Sequence, residues 1–183
     1  MLKIIIFSIF LFILTWGTAN IIEPTLDPQP NYSAVQETNA SQQKELNKNS
    51  LPVDKKYFSI SSGFGYRKDP FTSERSFHSG IDISSPGIEN TKAYTIDPGT
   101  IHEISYNNRA GNYIFIEHDD YFTIYAHLNK ILVEESQKVE AGEAIGTIGD
   151  TGRSTGAHLH FEVHVDGQAV DPTKLLKKQE KEN

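Results

Sequence analysis

Gly149-Asp150-Thr151-Gly152-Arg153-Ser154-Thr155-Gly156-Ala157-His158-Leu159-His160-Phe161-Glu162-Val163-His164-Val165 decides the fold of this 183-residue chain. From His158 onward polar residues (His158, His160, Glu162, His164) alternate with apolar ones (Leu159, Phe161, Val163, Val165). That period of two marks a strand with one buried face. The preceding segment, punctuated by Gly149, Gly152 and Gly156, reads as a loop that runs straight into the strand. Leu159 and Phe161 then point to the core. His158 and His160 share the opposite face about 7 Å apart, close enough to serve one small site.

The same texture of strands and turns begins at Tyr57 and extends outward from this stretch. Residues 100–104 form a strand followed by a turn at 107–111. Residues 113–118 and 121–127 are two apolar runs split by Asp119-Asp120, a hairpin. Residues 144–149 form a further strand. No segment shows a convincing helical period beyond a short turn at 131–136. The pattern predicts a mainly β single domain built on an antiparallel β-sheet over residues 56–175, with 176–183 as a charged tail.

Residues 1–22 read as a signal peptide or an N-terminal membrane anchor: Lys3 precedes an apolar run at 4–14, and Gly17 and Ala19 supply the small-residue exit. Lys3 stays on the inner side of the membrane, so the domain is expected to be exported, to the periplasm or cell envelope, and anchored in the inner membrane if the segment is not cleaved. Residues 23–55 hold Pro24, Pro28, Pro30 and Pro52 with many Asn, Gln and Ser. Such a stretch buries too little to offset its ordering entropy and reads as a disordered linker.

Composition removes several function classes. With no cysteine there is no disulfide framework, thiolate metal site or cysteine nucleophile. Seventeen Lys and Arg against 24 Asp and Glu leave a net charge of −7, which argues against a nucleic-acid partner. The seven histidines exceed what packing needs, so their placement carries the functional reading.

Phe77-His78-Ser79-Gly80-Ile81-Asp82 offers an imidazole and a carboxylate, both ligands that zinc accepts, with Gly80 expected to let the backbone bend so that both face one ion. Tyr125-Ala126-His127-Leu128 places His127 at the end of a hairpin strand. His78, Asp82 and one of the pair His158/His160 would make three ligands and leave a position for water, as a catalytic zinc site requires. The remaining histidine of the pair and His127 would face that water. No H-E-x-x-H helix is present to supply a glutamate base, so two histidines would orient and deprotonate the water and stabilise the oxyanion.

These motifs, together with Ser62-Gly63-Phe64-Gly65-Tyr66-Arg67, occur in order between about residues 59 and 175. In them the chain resembles the lysostaphin/LytM-type zinc endopeptidases. The resemblance implies a groove in a β-sheet of the duplicated hybrid motif type. It implies that His78, Asp82 and His160 bind one Zn2+ per chain and that His127 and His158 are the catalytic pair. The implied function is zinc-dependent endopeptidase hydrolysis of amide bonds in peptidoglycan cross-links or stem peptides, with zinc-bound water as nucleophile. Family members often carry Gly-x-Gly at the hairpin turn, where this chain has Asp119-Asp120-Tyr121, a difference that touches only turn geometry.

Two other classes compete. A non-catalytic regulator of a cell-wall amidase shares the fold, but such relatives usually lack a metal ligand, and all five positions are filled here. A carrier or phosphotransfer module would resemble Val139–Gly146, but it needs a modifiable lysine at a hairpin tip or a cytoplasmic partner. The expected partners are peptidoglycan peptides, with a monomeric chain and membrane contact only through an uncleaved N-terminal segment. Of the remaining residues, His118 is expected to make a structural hydrogen bond, Arg67 a structural ion pair, and His102 and His164 to be solvated.

Overall fold

The computed structural model describes residues 51–181, with side-chain surroundings defined through Leu176. The export segment and the linker through residue 50 lie outside the described residues. The chain folds into β1 (Ile60–Ser62), β2 (Gly65–Lys68), β3 (Arg75–His78), β4 (Ile81–Ile83), β5 (Lys92–Tyr94) and β6 (Gly99–Asn107). There follow β7 (Gly111–Glu117), β8 (Phe122–Ile131), β9 (Lys138–Val139), β10 (Ala144–Ile148), β11 (Leu159–Val165) and β12 (Gln168–Val170), then helix α1 (Pro172–Lys181).

One ten-stranded sheet follows the path β1-β4-β11-β8-β7-β6-β9, with β10 joined to β5 and β8, and β12 joined to β11. The β2–β3 hairpin forms a separate two-stranded sheet. Every named pairing is antiparallel, as the sequence predicts. The alternation along β11 holds: Leu159 and Phe161 are fully buried and Val163 nearly so. They pack with Ile81, Ile83, Ile114, Ile116, Leu128 and Ile148, each side chain contributing about 1.5–3 kcal/mol on burial. Tyr125 is buried among them with its ring 5.1 Å from that of Phe161. Its hydroxyl accepts the Ile96 N–H at 3.2 Å, so the one polar atom of that side chain is satisfied.

Three boundaries differ from the sequence reading. The linker does not run to residue 55: Val53 is buried and bridges Ala93 of β5, and the Pro52 carbonyl accepts the Tyr94 N–H, so a single apolar residue docks the end of the stretch. The tail is not frayed from residue 176. Helix α1 runs to Lys181, and Leu176 is buried in the core. Asp171 stands before this helix with its Oδ1 accepting the Thr173 N–H at 3.0 Å, and Pro172 occupies the first turn, where its missing N–H costs nothing. Finally, β8 continues past His127 to Ile131 because β10 pairs with its second half, Ile148 opposite Leu128 and Gly146 opposite Ile131.

Candidate metal centre and groove

Strand register brings the site together. β4 lies against β11 with Asp82 directly opposite His160, and β8 lies on the other side of β11 with Ala126 opposite His160, one residue before His127. Directly opposed residues hold their Cβ atoms about 4.5–5.5 Å apart, so their side chains meet when they point to one face. His78 closes β3, opposite Gly65 of β2. Gly80 serves the arrangement differently from the expected bend. A Cβ added there would lie 2.3 Å from the Phe161 carbonyl oxygen and 2.9 Å from Glu162 Cγ. Glycine is what lets the chain entering β4 lie close against β11.

His78 Nε2, Asp82 Oδ1 and His160 Nδ1 form a triangle with sides of 3.1 Å (His78–Asp82), 2.9 Å (Asp82–His160) and 3.0 Å (His78–His160). The far nitrogens are already committed. His78 Nδ1–H donates to the Gly63 carbonyl at 2.8 Å, and His160 Nε2–H donates to Glu162 Oε1 at 2.7 Å. Three lone pairs therefore converge on one point, which is unfavourable unless a proton or a cation sits among them. Tetrahedral zinc with N and O ligands at roughly 2.0–2.2 Å holds its ligand atoms about 3.3 Å apart, a slight expansion of this triangle. The donor set fits a divalent cation of that kind, and the group is the one candidate metal cluster among the described residues.

The electrostatics follow. Burial opposes charge on His160, but its hydrogen bonds to Asp82 and Glu162 prevail and raise its pKa to about 9. Burial likewise opposes ionisation of Asp82, yet the neighbouring imidazoles of His160 and His78 hold it well below the usual carboxylate range. In the metal-free protein a proton on His160 Nδ1 occupies the position a cation would take. Arg67 makes the expected structural ion pair, its Nη2 lying 3.3 Å from Asp82 Oδ2, and this leaves Oδ1 to the triangle.

His127 and His158 stand beside the triangle, their ring centroids 4.6 Å apart, with His127 5.9 Å from His160. His127 is buried and adopts φ = 61°, a left-handed conformation uncommon for a residue with a side chain and frequent at functional sites. Its Nδ1–H donates to the Thr151 carbonyl at 2.7 Å, so Nε2 carries the free lone pair. Burial lowers its pKa to about 4, against the effect of that hydrogen bond, and the ring is neutral at physiological pH. His158 Nδ1 lies 2.7 Å from the Gly156 carbonyl and its Nε2 lies 3.6 Å from Asp82 Oδ1. All five residues line one open groove of about 960 Å3, whose lining also includes residues of the β2–β3 hairpin and residues 153–158.

The sequence left the role of Glu162 open. The structure makes it a hub: besides His160 it receives the Ser79 hydroxyl at 2.5 Å and His164 Nε2 at 2.6 Å. Burial would raise its pKa, but the hydrogen bond from His160 and its charge dominate and bring it to about 2. His164, expected to be solvated, is thus tied to this carboxylate. The clue was present in the alternation, which puts Glu162 next to His160 on one face. His118 makes the structural bonds expected of it, Nδ1 to the Pro98 carbonyl and Nε2 to Thr123 Oγ1, both at 2.8 Å. His102 is exposed, 3.8 Å from the Glu117 carboxylate.

Three residues that could hold a metal ion on a sheet, beside two histidines in a groove, fit a metallopeptidase. Residues 76–172 match Peptidase family M23, and the chain belongs to that family. It is 44% identical over 128 residues to the peptidoglycan DD-endopeptidase ShyB of Vibrio cholerae serotype O1, a match covering 69% of this chain and 30% of ShyB. The chain therefore spans less than a third of that relative's length. The crystal structure of a zinc-containing peptidase from Vibrio cholerae superposes with a TM-score of 0.61 at 45% identity, covering 67% of this chain and 38% of that one. The catalytic domain of lysostaphin from Staphylococcus simulans superposes with a TM-score of 0.60 at 29% identity, covering 74% of this chain and 97% of that one.

Proposed function

We propose that this chain is a zinc-dependent endopeptidase that hydrolyses amide bonds in peptidoglycan cross-links or stem peptides. The observation that carries the reading is the convergence of three lone pairs from His78, Asp82 and His160 beside the neutral, buried His127. These three residues would hold one zinc ion, which when bound supplies Lewis-acid polarisation of the scissile carbonyl and activation of water.

The other residues set the proton inventory. His127, with Nδ1–H fixed on Thr151, presents Nε2 as a base and receives the proton that the attacking water loses. His158, with Nδ1–H directed at the Gly156 carbonyl, presents its Nε2 lone pair toward the same space, where it accepts a hydrogen bond from the attacking water and orients it. Protonated His127 then returns its proton to the leaving amine. Glu162 keeps the His160 ring in orientation, and Arg67 keeps Asp82 Oδ2 away from the triangle.

The groove is lined by residues of several sheet strands, which suits an extended peptide rather than a helix. The regulator reading is not favoured, since all five positions are occupied by competent residues. The apolar run at 4–14 in the sequence supports export of the domain to the periplasm or cell envelope. Chelation followed by metal readdition tests the core of the reading. Cleavage of cross-linked muropeptides should stop with chelator and return with stoichiometric zinc, and cleavage that persists in a metal-free chain would refute it.

A further inference from the structure

A second ion pair joins two segments that line the groove, apart from His78, Asp82 and His160. At the tip of the β2–β3 hairpin, Asp69 receives both arms of the Arg153 guanidinium, Nη2 to Oδ1 at 2.6 Å and Nη1 to Oδ2 at 3.0 Å. The same guanidinium lies over the Phe71 ring, 4.1 Å from its centroid. Asp69 Oδ1 also accepts the N–H groups of Phe71 and Thr72 at 2.9 Å, so one carboxylate both organises the turn and anchors it. A surface ion pair is ordinarily worth little, but this one is bidentate and stacked, the geometry in which such pairs hold position.

The two partners differ in how firmly they are held. Arg153 sits on a braced loop: its N–H donates to the Arg109 carbonyl at 3.0 Å, and Thr151 Oγ1 donates to the Leu128 carbonyl at 2.8 Å. Gly152 (φ = 74°) lies so close to Gly111 that an added Cβ would fall 2.2 Å from the Gly111 nitrogen. This is the loop whose Thr151 carbonyl also orients His127. The hairpin, by contrast, pairs with no strand of the main sheet, and Tyr66, Phe71 and Phe77 on it are exposed. Arg67 and His78 tie the hairpin to the rest of the fold near Asp82 and Gly63, and the clasp adds a tie at its tip, between two segments that both line the groove.

We propose that Arg153 is a positioning residue for peptide binding: by clasping Asp69 and covering Phe71 it holds the β2–β3 hairpin as a preformed wall of the groove. This inference rests on the peptidase reading above. A wall fixed in advance spares the complex the entropy of ordering it, so the effect falls on substrate affinity and leaves the proton inventory of His127 and His158 alone.

The test compares the full zinc-loaded chain with Asp69→Asn, Arg153→Gln and the double variant on a soluble cross-linked muropeptide. Asp69→Asn keeps Oδ1 as the acceptor for Phe71 and Thr72 and removes the charge and the second acceptor for Arg153. Each single variant should raise KM about five- to tenfold, with kcat changed by less than about twofold. The double should be no worse than the worse single, because both remove one contact. Amide hydrogen exchange at residues 71–72 should accelerate in Arg153→Gln at unchanged zinc content. An unchanged KM in both singles, additive losses in the double, or zinc loss in either single would overturn the proposal. A zinc-loaded wild-type chain that cleaves no peptidoglycan peptide would instead refute the peptidase reading on which it rests.

Discussion

Asp82 of β4 and His160 of β11 face each other across a strand pair, and their metal-directed atoms lie 2.9 Å apart although 78 residues separate them in sequence. A sheet register, and not a local motif, thus builds half of the site. His78 completes the set from the end of a hairpin, four residues before Asp82. The remaining ring nitrogen of each histidine is held by a fixed acceptor, Gly63 or Glu162.

Removing a ligand should remove the metal. His78→Ala, Asp82→Ala and His160→Ala should each leave less than one zinc per chain in metal analysis after dialysis. His127→Ala should retain zinc and lose activity by about 10²- to 10⁴-fold, the range for loss of a positioned base. Zinc loss in His127→Ala with retention in His160→Ala would reverse the assignment of roles.

Glu162→Gln removes the charge that fixes the His160 ring while preserving its shape. Zinc affinity should weaken about 10- to 100-fold, as for other carboxylates behind a ligating imidazole. Competition with a chromogenic chelator measures this, and an unchanged affinity would show that the charge of Glu162 is not needed to orient His160.

Gly80→Ala should act through packing. The added methyl would meet the Phe161 carbonyl at 2.3 Å, so β4 must shift off β11. We expect a loss of about 2 kcal/mol or more in denaturant unfolding, the scale of overpacking against rigid backbone, together with weaker zinc binding because Asp82 moves with β4.

The pH behaviour of the metal-free chain should be opposite to that of the zinc form. The folded-state pKa of His160 is raised to about 9, above its ordinary value of 6.5. Its protonated contacts therefore stabilise the fold fully below pH 6.5, and that contribution is lost as pH rises through 9. Thermal unfolding of the chelated protein should thus move to lower temperature between pH 6.5 and 9. Zinc must displace the same proton, so zinc affinity should rise by up to about tenfold per pH unit over that window. A metal-free melting temperature that rises with pH across the window would contradict the proton assignment on His160.

Much of this was legible in the sequence. The alternation from His158 to Val165 gives β11 and its buried face, and the Asp119-Asp120 break gives the β7–β8 hairpin. The grouping of His160, and not His158, with His78 and Asp82 was not legible from spacing, because it depends on β4 lying against β11. Only the family resemblance separated the two histidines. Helix α1 escaped notice because its apolar content near the core is little more than Leu175 and Leu176, although Asp171-Pro172 marks its start. The clasp between Asp69 and Arg153 joins residues 84 apart and leaves no local trace.

On the proposed reading, the groove holds a peptide against a metal bound by His78, Asp82 and His160. The most direct test is digestion of purified cross-linked muropeptide dimers with the zinc-loaded chain, read by mass spectrometry. The account predicts conversion of dimers to monomers with the gain of one water per cleavage, abolished in the His127→Ala variant that still carries zinc. Products cut within the sugar chain or at the amide joining sugar to peptide, or dimers left intact by a chain holding one zinc, would contradict it.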